Sequence, residues 1–359
     1  MPTPRSRRAA LIALPTAGAL LLAGCGSADE PAASAGAQGE SPALSVAASF
    51  YPLQWVAQAV AGERAEVSSL TEPGVEPHDL ELSPQQVGTA VDADVLVTLQ
   101  GFQTAVDAAA EERGTDGVVD VAPAADLEAT PGTPADEAGA EHEDEHAGEE
   151  HAHEDEHAEE GHAEDEHAED EHAEEEEEED GHEHGLEEDP HFWLDPQRLS
   201  AVAELVAEGL TSADAEGAEV YAENLAAVQD ELAALDSEYA DGLATCDSRD
   251  LVTAHQAFGY LAERYDLVQR GVSGIGGEEE PTPARLAEVA EFAAANDVRT
   301  IYTETLLSPA VAETVAAETG AQTAVLDTLE GLTEASPGED YPSVMRANLD
   351  TLREGQGCA

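Results

Sequence analysis

The sequence predicts an α/β protein of two lobes, each a mainly parallel sheet with flanking helices, joined by one long helix. Short apolar runs alternate with amphipathic helical patterns twice, first from residue 43 to residue 122 and again from residue 250 to residue 326. Alternating strands and helices indicate parallel sheets, because a helix provides each crossover. Between the two series, the helical pattern "GAEVYAENLAAVQDELAALDSEYADGL" is long enough to connect two lobes.

The first lobe is predicted at residues 43–210. Its strands are apolar runs short enough for a buried sheet, and they are "ALSVAASF" (43–50), "AEVSSL", "ADVLVTL" (93–99) and "GVVDVA" (117–122). Its helices have apolar residues at helical spacing, and they are "YPLQWVAQAVAG", "SPQQVGTAV", "FQTAVDAAAEE" and "DPQRLSAVAELVAEGL".

The connecting helix is predicted at residues 211–243, and the second lobe at residues 246–359. The second lobe repeats the alternation of the first. Its predicted strands are 250–254, 267–272, 298–303 and 322–326, and its predicted helices are 256–265, 283–296 and 309–319.

The first 25 residues are typical of an export signal. Arginines at positions 5, 7 and 8 precede the apolar run "AALIALPTAGALLLAG", and "LLAGC" ends at Cys25. That ending resembles the bacterial lipoprotein box, which implies a lipid on Cys25, attachment to the membrane and a location on the extracytoplasmic face of the cell membrane. Residues 26–42 then predict a flexible tether. A plain transmembrane anchor is the alternative, and the export route, Sec or twin-arginine, stays open.

The charge of the chain excludes one class of partner. The formal net charge is −67, and no Arg or Lys occurs between Arg113 and Arg198. Contacts to nucleic-acid phosphates need clustered basic side chains, so we expect no nucleic-acid partner. We expect the protein to be a monomer.

An acidic, histidine-rich insertion is predicted at about residues 130–188. It repeats "EDEHA" at 143–147, 154–158, 164–168 and 169–173 and holds almost no apolar side chain, so we expect it to remain disordered. Histidines without fixed geometry predict weak, auxiliary metal binding. These residues are His142, His146, His151, His153, His157, His162, His167, His172, His182 and His184.

Two cysteines remain once Cys25 is assigned to lipid. Cys246 and Cys358 do not form a C-x-x-C motif, and disulfides persist outside the cytoplasm. We therefore predict a bridge that ties the C-terminal helix to the start of the second lobe. Two separate buried thiols are the alternative.

Four side chains that can bind a metal occupy loops near predicted strands. They are His78, His191, His255 and Asp327, two from each lobe, and the three histidines are all that the chain has outside the tract. Ligands of open α/β sheets bind at the carboxyl ends of the strands, so the four predict a shared metal site. Taken singly, each histidine is also compatible with an ordinary hydrogen-bonded loop residue.

These residues occur within stretches that resemble the zinc-binding lipoproteins of bacterial ABC importers. The stretches, in order, are "GVEPHDLELSPQQ", "DPHFWLDP", "TAHQAFGYLAERYDL", "EEEPTPARLAEV", "IYTETLLSP" and "LDTLEGL". The resemblance implies capture of Zn(II) and delivery to an ABC permease, with His78, His191 and His255 as ligands. It implies Asp327 as the fourth ligand in many relatives, although Thr328 stands here where proline is common. Glu304 or water remain alternatives for that position.

The chemistry of the side chains also favours zinc, since imidazole suits borderline ions and manganese prefers more oxygen ligands. A manganese-binding or other divalent-metal subunit and an adhesive surface lipoprotein are the alternatives. A zinc hydrolase is disfavoured because neither HExxH nor G-x-S-x-G occurs, and we expect no enzyme activity. Side chains suited to the cleft wall are Phe102, Phe192 and Trp193.

Overall fold

The computed structural model describes residues 44–129, 188–277 and 280–359. The predicted signal segment, Cys25, the tether and the ten histidines of the acidic tract lie outside the described residues. Within the described ranges, no helix combines the length and the apolar character that a bilayer span requires.

The first sheet has four parallel strands in the order β2-β1-β3-β4. Val46 at the centre of β1 pairs with Val67 on one side and Val95 on the other. The strands are β1 (Leu44–Ala48), β2 (Ala65–Ser69), β3 (Val95–Thr98) and β4 (Val118–Asp120). The helices that accompany them are α1 (Tyr51–Ala61), α2 (Pro84–Asp92), α3 (Thr104–Arg113) and α4 (Ala122–Ala125).

Two long helices follow the insertion, α5 (Pro196–Ala213) and α6 (Ala218–Gly242). The second sheet then repeats the topology of the first, with parallel strands in the order β6-β5-β7-β8. Its strands are β5 (Asp250–Thr253), β6 (Val268–Gly271), β7 (Thr300–Thr303) and β8 (Gln322–Val325). Its helices are α7 (Gly259–Arg264), α8 (Pro283–Ala295), α9 (Ala310–Thr319) and α10 (Tyr341–Gln356). The predicted fold class is thus confirmed.

Several helices begin where the sequence places a capping residue next to proline. The side chains of Ser83, Asp195 and Thr282 each accept a hydrogen bond from a backbone N–H of the following turn, and a proline comes directly after each of them. Such residues satisfy N–H groups that a helix start otherwise leaves unpaired, and proline supplies the helical φ angle. These signals fix the starts of α2, α5 and α8.

The helix α6 contacts both lobes. Near its start, the side chain of Asn224 donates to the carbonyl of Val60 in α1 at 2.9 Å. Near its end, the Tyr239 hydroxyl donates to the carbonyl of Met345 in α10 at 2.6 Å. One buried cluster runs from Val46 in β1 to Leu352 in α10 and so joins the two lobes, while a further buried cluster lies within each lobe.

The predicted Cys246–Cys358 disulfide is present in the structure. Cys246 lies between α6 and β5, and Cys358 follows α10. The bond therefore connects the segment after α10 to the segment that leads into β5.

Candidate metal centre

Among the described residues, four side chains that can bind a metal converge between the lobes. They are His78, His191, His255 and Glu330, and one ligand atom from each lies within 4.8 Å of the others. His191 Nε2 is 3.2 Å from His78 Nε2, 3.4 Å from His255 Nε2 and 3.0 Å from Glu330 Oε1. A tetrahedral zinc site with bonds of about 2.0–2.2 Å has ligand–ligand edges of about 3.3–3.6 Å. The three distances from His191 Nε2 are thus close to the edges of such a tetrahedron, whereas His255 Nε2 and Glu330 Oε1 lie farther apart, at 3.8 Å.

The fold brings these residues together because each one follows a strand or begins a helix at the same cleft. His78 lies in the loop after β2, His255 directly follows β5, and Glu330 lies in the loop after β8. His191 precedes a single 3₁₀ turn, Phe192–Leu194, that leads into α5. Three of the four thus emerge from the carboxyl ends of parallel strands, where open α/β sheets bind ligands.

His191 is fully buried and is held by a neighbouring carboxylate. Its Nδ1 donates to Asp189 Oδ1 at 2.7 Å, and its backbone N–H donates to the same oxygen at 2.9 Å. Burial alone lowers the pKa of His191, but the Asp189 and Glu330 carboxylates outweigh burial and raise the pKa to about 10. Because Asp189 fixes the proton on Nδ1, Nε2 is the atom that faces the other ligands.

His255 has the same arrangement with a different carboxylate. Its Nδ1 donates to Glu304 Oε2 at 2.5 Å, and its backbone N–H donates to Glu304 Oε1 at 3.0 Å. Burial lowers the pKa of His255, and Glu304 and Glu330 outweigh burial to raise it. Glu304 therefore orients His255 and is not one of the four converging residues.

His78 lies nearer the solvent, with 13% of its side chain exposed. Its backbone N–H donates to Glu76 Oε1 at 3.2 Å, and its ring meets the ring of Phe102 edge-on at 4.8 Å. The Gln103 amide donates to the carbonyl of Pro77 at 3.1 Å and so holds the loop. Burial lowers the pKa of His78, which favours a neutral imidazole.

The loop after β8 contains two buried carboxylates, and only Glu330 belongs to the converging group. Asp327 Oδ1 accepts the backbone N–H of Leu329 at 2.8 Å. The Asn348 side chain accepts the Asp327 N–H at 2.9 Å and donates to the Asp327 carbonyl at 2.7 Å. Leu329 has a φ of 60°, a conformation that bulky side chains rarely adopt. That turn directs Glu330 into the cleft, where Thr328 Oγ1 donates to Glu330 Oε2 at 2.7 Å.

The site places negative charge where a cation would bind. Burial raises the pKa of Glu330, but hydrogen bonds from His191 and His78 outweigh burial and hold it well below the usual range. Burial and the nearby Glu330 charge raise the pKa of Glu76 to about 8. Glu330 is thus ionised between the histidines, and the group can bind a divalent cation by displacing histidine protons.

Aromatic side chains form the wall behind the site. The Trp193 indole donates to the carbonyl of Thr328 at 2.8 Å, and the Tyr341 hydroxyl donates to the carbonyl of Trp193 at 2.6 Å. Phe192 is fully buried beside them. These bonds join the first lobe to the Glu330 loop and to α10 of the second lobe.

Comparison with known proteins identifies the family. The model of the family described as zinc-uptake complex component A, periplasmic, matches residues 46–355. The zinc-binding lipoprotein AdcA of Streptococcus pneumoniae is 33% identical over 314 residues, covering 87% of this chain and 55% of that protein. The chain therefore spans about half the length of this relative. The high-affinity zinc uptake system protein ZnuA of Bacillus subtilis is 31% identical over 338 residues, covering 93% of each.

Solved structures share the fold. The Zn(II)-bound ZnuA-like domain of Streptococcus pneumoniae AdcA has a TM-score of 0.64 and 30% identity, covering 88% of this chain and 99% of that domain. The laminin-binding protein Lmb of Streptococcus agalactiae has a TM-score of 0.67 and 25% identity, covering 88% of this chain and 100% of that one. With its family match from residue 46 to residue 355, this chain belongs to the family of periplasmic A components of zinc-uptake complexes.

Proposed function

We propose that this protein captures Zn(II) between its two lobes outside the cytoplasm and delivers it to an ABC permease for uptake. The observation that carries the proposal is the convergence of three imidazole Nε2 atoms and one carboxylate oxygen within 4.8 Å. Three nitrogen ligands and one oxygen ligand in a compact group are typical of a four-coordinate zinc site. The names of the relatives, zinc-binding lipoprotein and zinc uptake system protein, support the same cargo.

The fourth ligand in this proposal is Glu330, in the place that the sequence assigned to Asp327. Glu330 Oε1 lies 3.1 Å from His78 Nε2 and 3.0 Å from His191 Nε2. Asp327 instead supports the turn at Leu329 that directs Glu330 inward. His78, His191 and His255 remain the histidine ligands.

The ligand set favours zinc over manganese. Neutral imidazole prefers borderline ions, whereas Mn(II) prefers sites richer in oxygen. The Asp189 and Glu304 carboxylates accept the Nδ1 protons of His191 and His255, so in this proposal they orient the ligands and add no oxygen ligand to the metal. Copper and nickel bind such a donor set at least as tightly as zinc, so selection among them depends on metal supply and on the permease.

The sequence and the family support the compartment and the membrane attachment in this proposal. A lipid on Cys25 would hold the monomer at the extracytoplasmic face of the membrane, and the lipoprotein name of one relative supports this anchor. The acidic tract, with its ten histidines, would concentrate divalent cations near the site by electrostatic attraction.

Metal titration with matched carboxylate variants tests the proposal. We expect calorimetry or native mass spectrometry to show one tight zinc equivalent and much weaker manganese binding. Glu330→Gln weakens the tight equivalent by about a hundredfold, because a zinc site of about 10–16 kcal/mol depends on each of its four ligands. Asp327→Asn keeps an oxygen for the Leu329 N–H and leaves zinc affinity nearly unchanged. Loss of the tight equivalent in Asp327→Asn, with retention in Glu330→Gln, would show that Asp327 is the ligand.

An adhesive role is the second candidate. The observation in its favour is the likeness to Lmb, which is described as a bifunctional protein with adhesin and metal transporting activity. Binding of the wild type, His191→Ala and His255→Ala to immobilised laminin tests this role. Adhesion that survives in both variants while tight zinc binding is lost would assign the two activities to separate surfaces.

A further inference from the structure

The acidic insertion leaves and re-enters the first lobe through a neck formed by Glu128 and Asp189. The backbone N–H of Asp189 donates to the carbonyl of Glu128 at 2.8 Å. The hydroxyl of Tyr260 accepts the Glu128 N–H at 2.7 Å and donates to the Asp189 carbonyl at 2.8 Å. One hydroxyl of the second lobe therefore joins both sides of the neck.

The side chain of Tyr260 is buried and packs against a guanidinium group. It lies in α7 with 1% of its surface exposed, and the Arg198 guanidinium stacks on its ring at 4.5 Å. Arg198 also donates to the carbonyl of Ala125 at 2.9 Å and to the side chain of Glu128. Burial raises the pKa of the Tyr260 phenol, so the hydroxyl keeps its proton at physiological pH.

The neck leads directly to a proposed metal ligand. Asp189, whose backbone the neck fixes, accepts both the backbone N–H and the Nδ1–H of His191 through one oxygen. Residues 129–188 intervene between the two sides, and the entropic cost of joining chain ends rises with the length between them. Tyr260 adds a bond from outside the neck to the Glu128–Asp189 bond and so helps to offset that cost.

We propose that Tyr260 is a positioning residue for metal binding: its hydroxyl clamps the neck so that Asp189 holds His191 in register with the ligands of the second lobe. The inference rests on the proposed zinc function. His255 lies in the segment that leads from β5 into α7, and Tyr260 lies in α7. This short part of the chain therefore carries His255 and positions His191 through Asp189.

Removing single hydroxyl groups from the full-length protein tests this role. The test variant is Tyr260→Phe and the matched control is Tyr239→Phe, which removes another buried hydroxyl that donates to a backbone carbonyl, that of Met345. We expect Tyr260→Phe to accelerate zinc dissociation by about tenfold, the lower range for groups that support a metal ligand. We also expect it to change the visible absorption spectrum of bound Co(II), and Asp189→Asn to change both readouts in the same direction. Tyr239→Phe leaves both readouts at wild-type values.

The melting temperature separates positioning from packing. Equal loss of melting temperature in both phenylalanine variants, with wild-type zinc dissociation and Co(II) spectrum in Tyr260→Phe, would show that Tyr260 only fills the core and would overturn the inference. Wild-type protein that binds neither zinc nor Co(II) tightly would overturn the proposed function and this inference together. A tight wild-type site that Asp189→Asn disturbs and Tyr260→Phe does not would overturn the inference alone.

Discussion

The histidines of the site fall into two environments. His191 and His255 are buried, at 0% and 1% exposure, and each donates its Nδ1 proton to a carboxylate, Asp189 or Glu304. His78 is partly exposed and is held by its backbone bond to Glu76 and by the edge of Phe102. Both environments supply an Nε2 atom to the same centre.

The difference separates two requirements of the proposed transport function, tight binding and release. A buried imidazole whose orientation is already fixed avoids an ordering cost when the metal binds. A partly exposed imidazole at the rim can leave the metal with less disturbance of the core than a buried one. We infer that the buried pair sets affinity and that His78 is the ligand through which zinc enters and leaves.

Alanine substitution of each class is the strongest test of this contrast. His191→Ala weakens tight zinc binding by about a hundred- to a thousandfold, since it removes a fully buried ligand from a four-ligand site worth about 10–16 kcal/mol. His78→Ala weakens it by about tenfold, because water can occupy a ligand position at the exposed rim. Competition with a chelator of known affinity measures both values.

A deletion variant supplies the control for the alanine pair. Removal of residues 137–186 takes away ten histidines and should remove the weak zinc equivalents while the tight equivalent remains. Tight binding that is lost with the tract and kept in His191→Ala would show that the tract is the receptor. Equal losses in His191→Ala and His78→Ala would remove the distinction between the buried pair and the rim.

Removing the charge of a carboxylate that accepts an Nδ1 proton from His191 or His255 should have the next largest effect on zinc affinity. Glu304→Gln keeps the side-chain shape but replaces a charged acceptor of the His255 Nδ1 proton, so zinc affinity should fall by about 10–100-fold. Glu313→Gln on the exposed face of α9 is the matched control and should leave affinity unchanged. Calorimetric affinities that agree between wild type and Glu304→Gln would show that the carboxylate does not support its histidine.

The sequence predicts three of the four converging residues, and the reason for the exception is local geometry. Apolar runs locate the strands, capping residues locate helix starts, and strand ends locate His78 and His255. Asp327 and Glu330 lie three positions apart in one loop, and their spacing does not reveal which side chain faces the cleft. The answer depends on the turn at Leu329, whose φ is 60°. Bulky residues rarely adopt that conformation, so no composition rule predicts it.

A pH titration sharpens the contrast through the protons that zinc displaces. Asp189 and Glu330 outweigh burial and raise the pKa of His191 to about 10, so the metal-free site carries a proton there at neutral pH. Protons compete with zinc, and the pKa of His255 is raised as well, so affinity should rise by at least about tenfold per pH unit through neutrality while at least one proton is released. Calorimetry in buffers of different ionisation enthalpy counts the protons released. A proton count of zero at pH 7 would contradict the charged environment of His191.

The smallest expected effect is the change in overall shape on zinc binding. The helix α6 is bonded to both lobes through Asn224 and Tyr239, and Trp193 and Tyr341 join the lobes behind the site. A wide hinge closure would break these buried bonds, whereas release at His78 requires only a local movement of the loop after β2. Small-angle scattering of metal-free and zinc-bound protein, with and without residues 137–186, should therefore give radii of gyration that agree within error. A clear compaction in both forms would show that the lobes move as bodies, and exchange would then involve the buried pair as much as the rim.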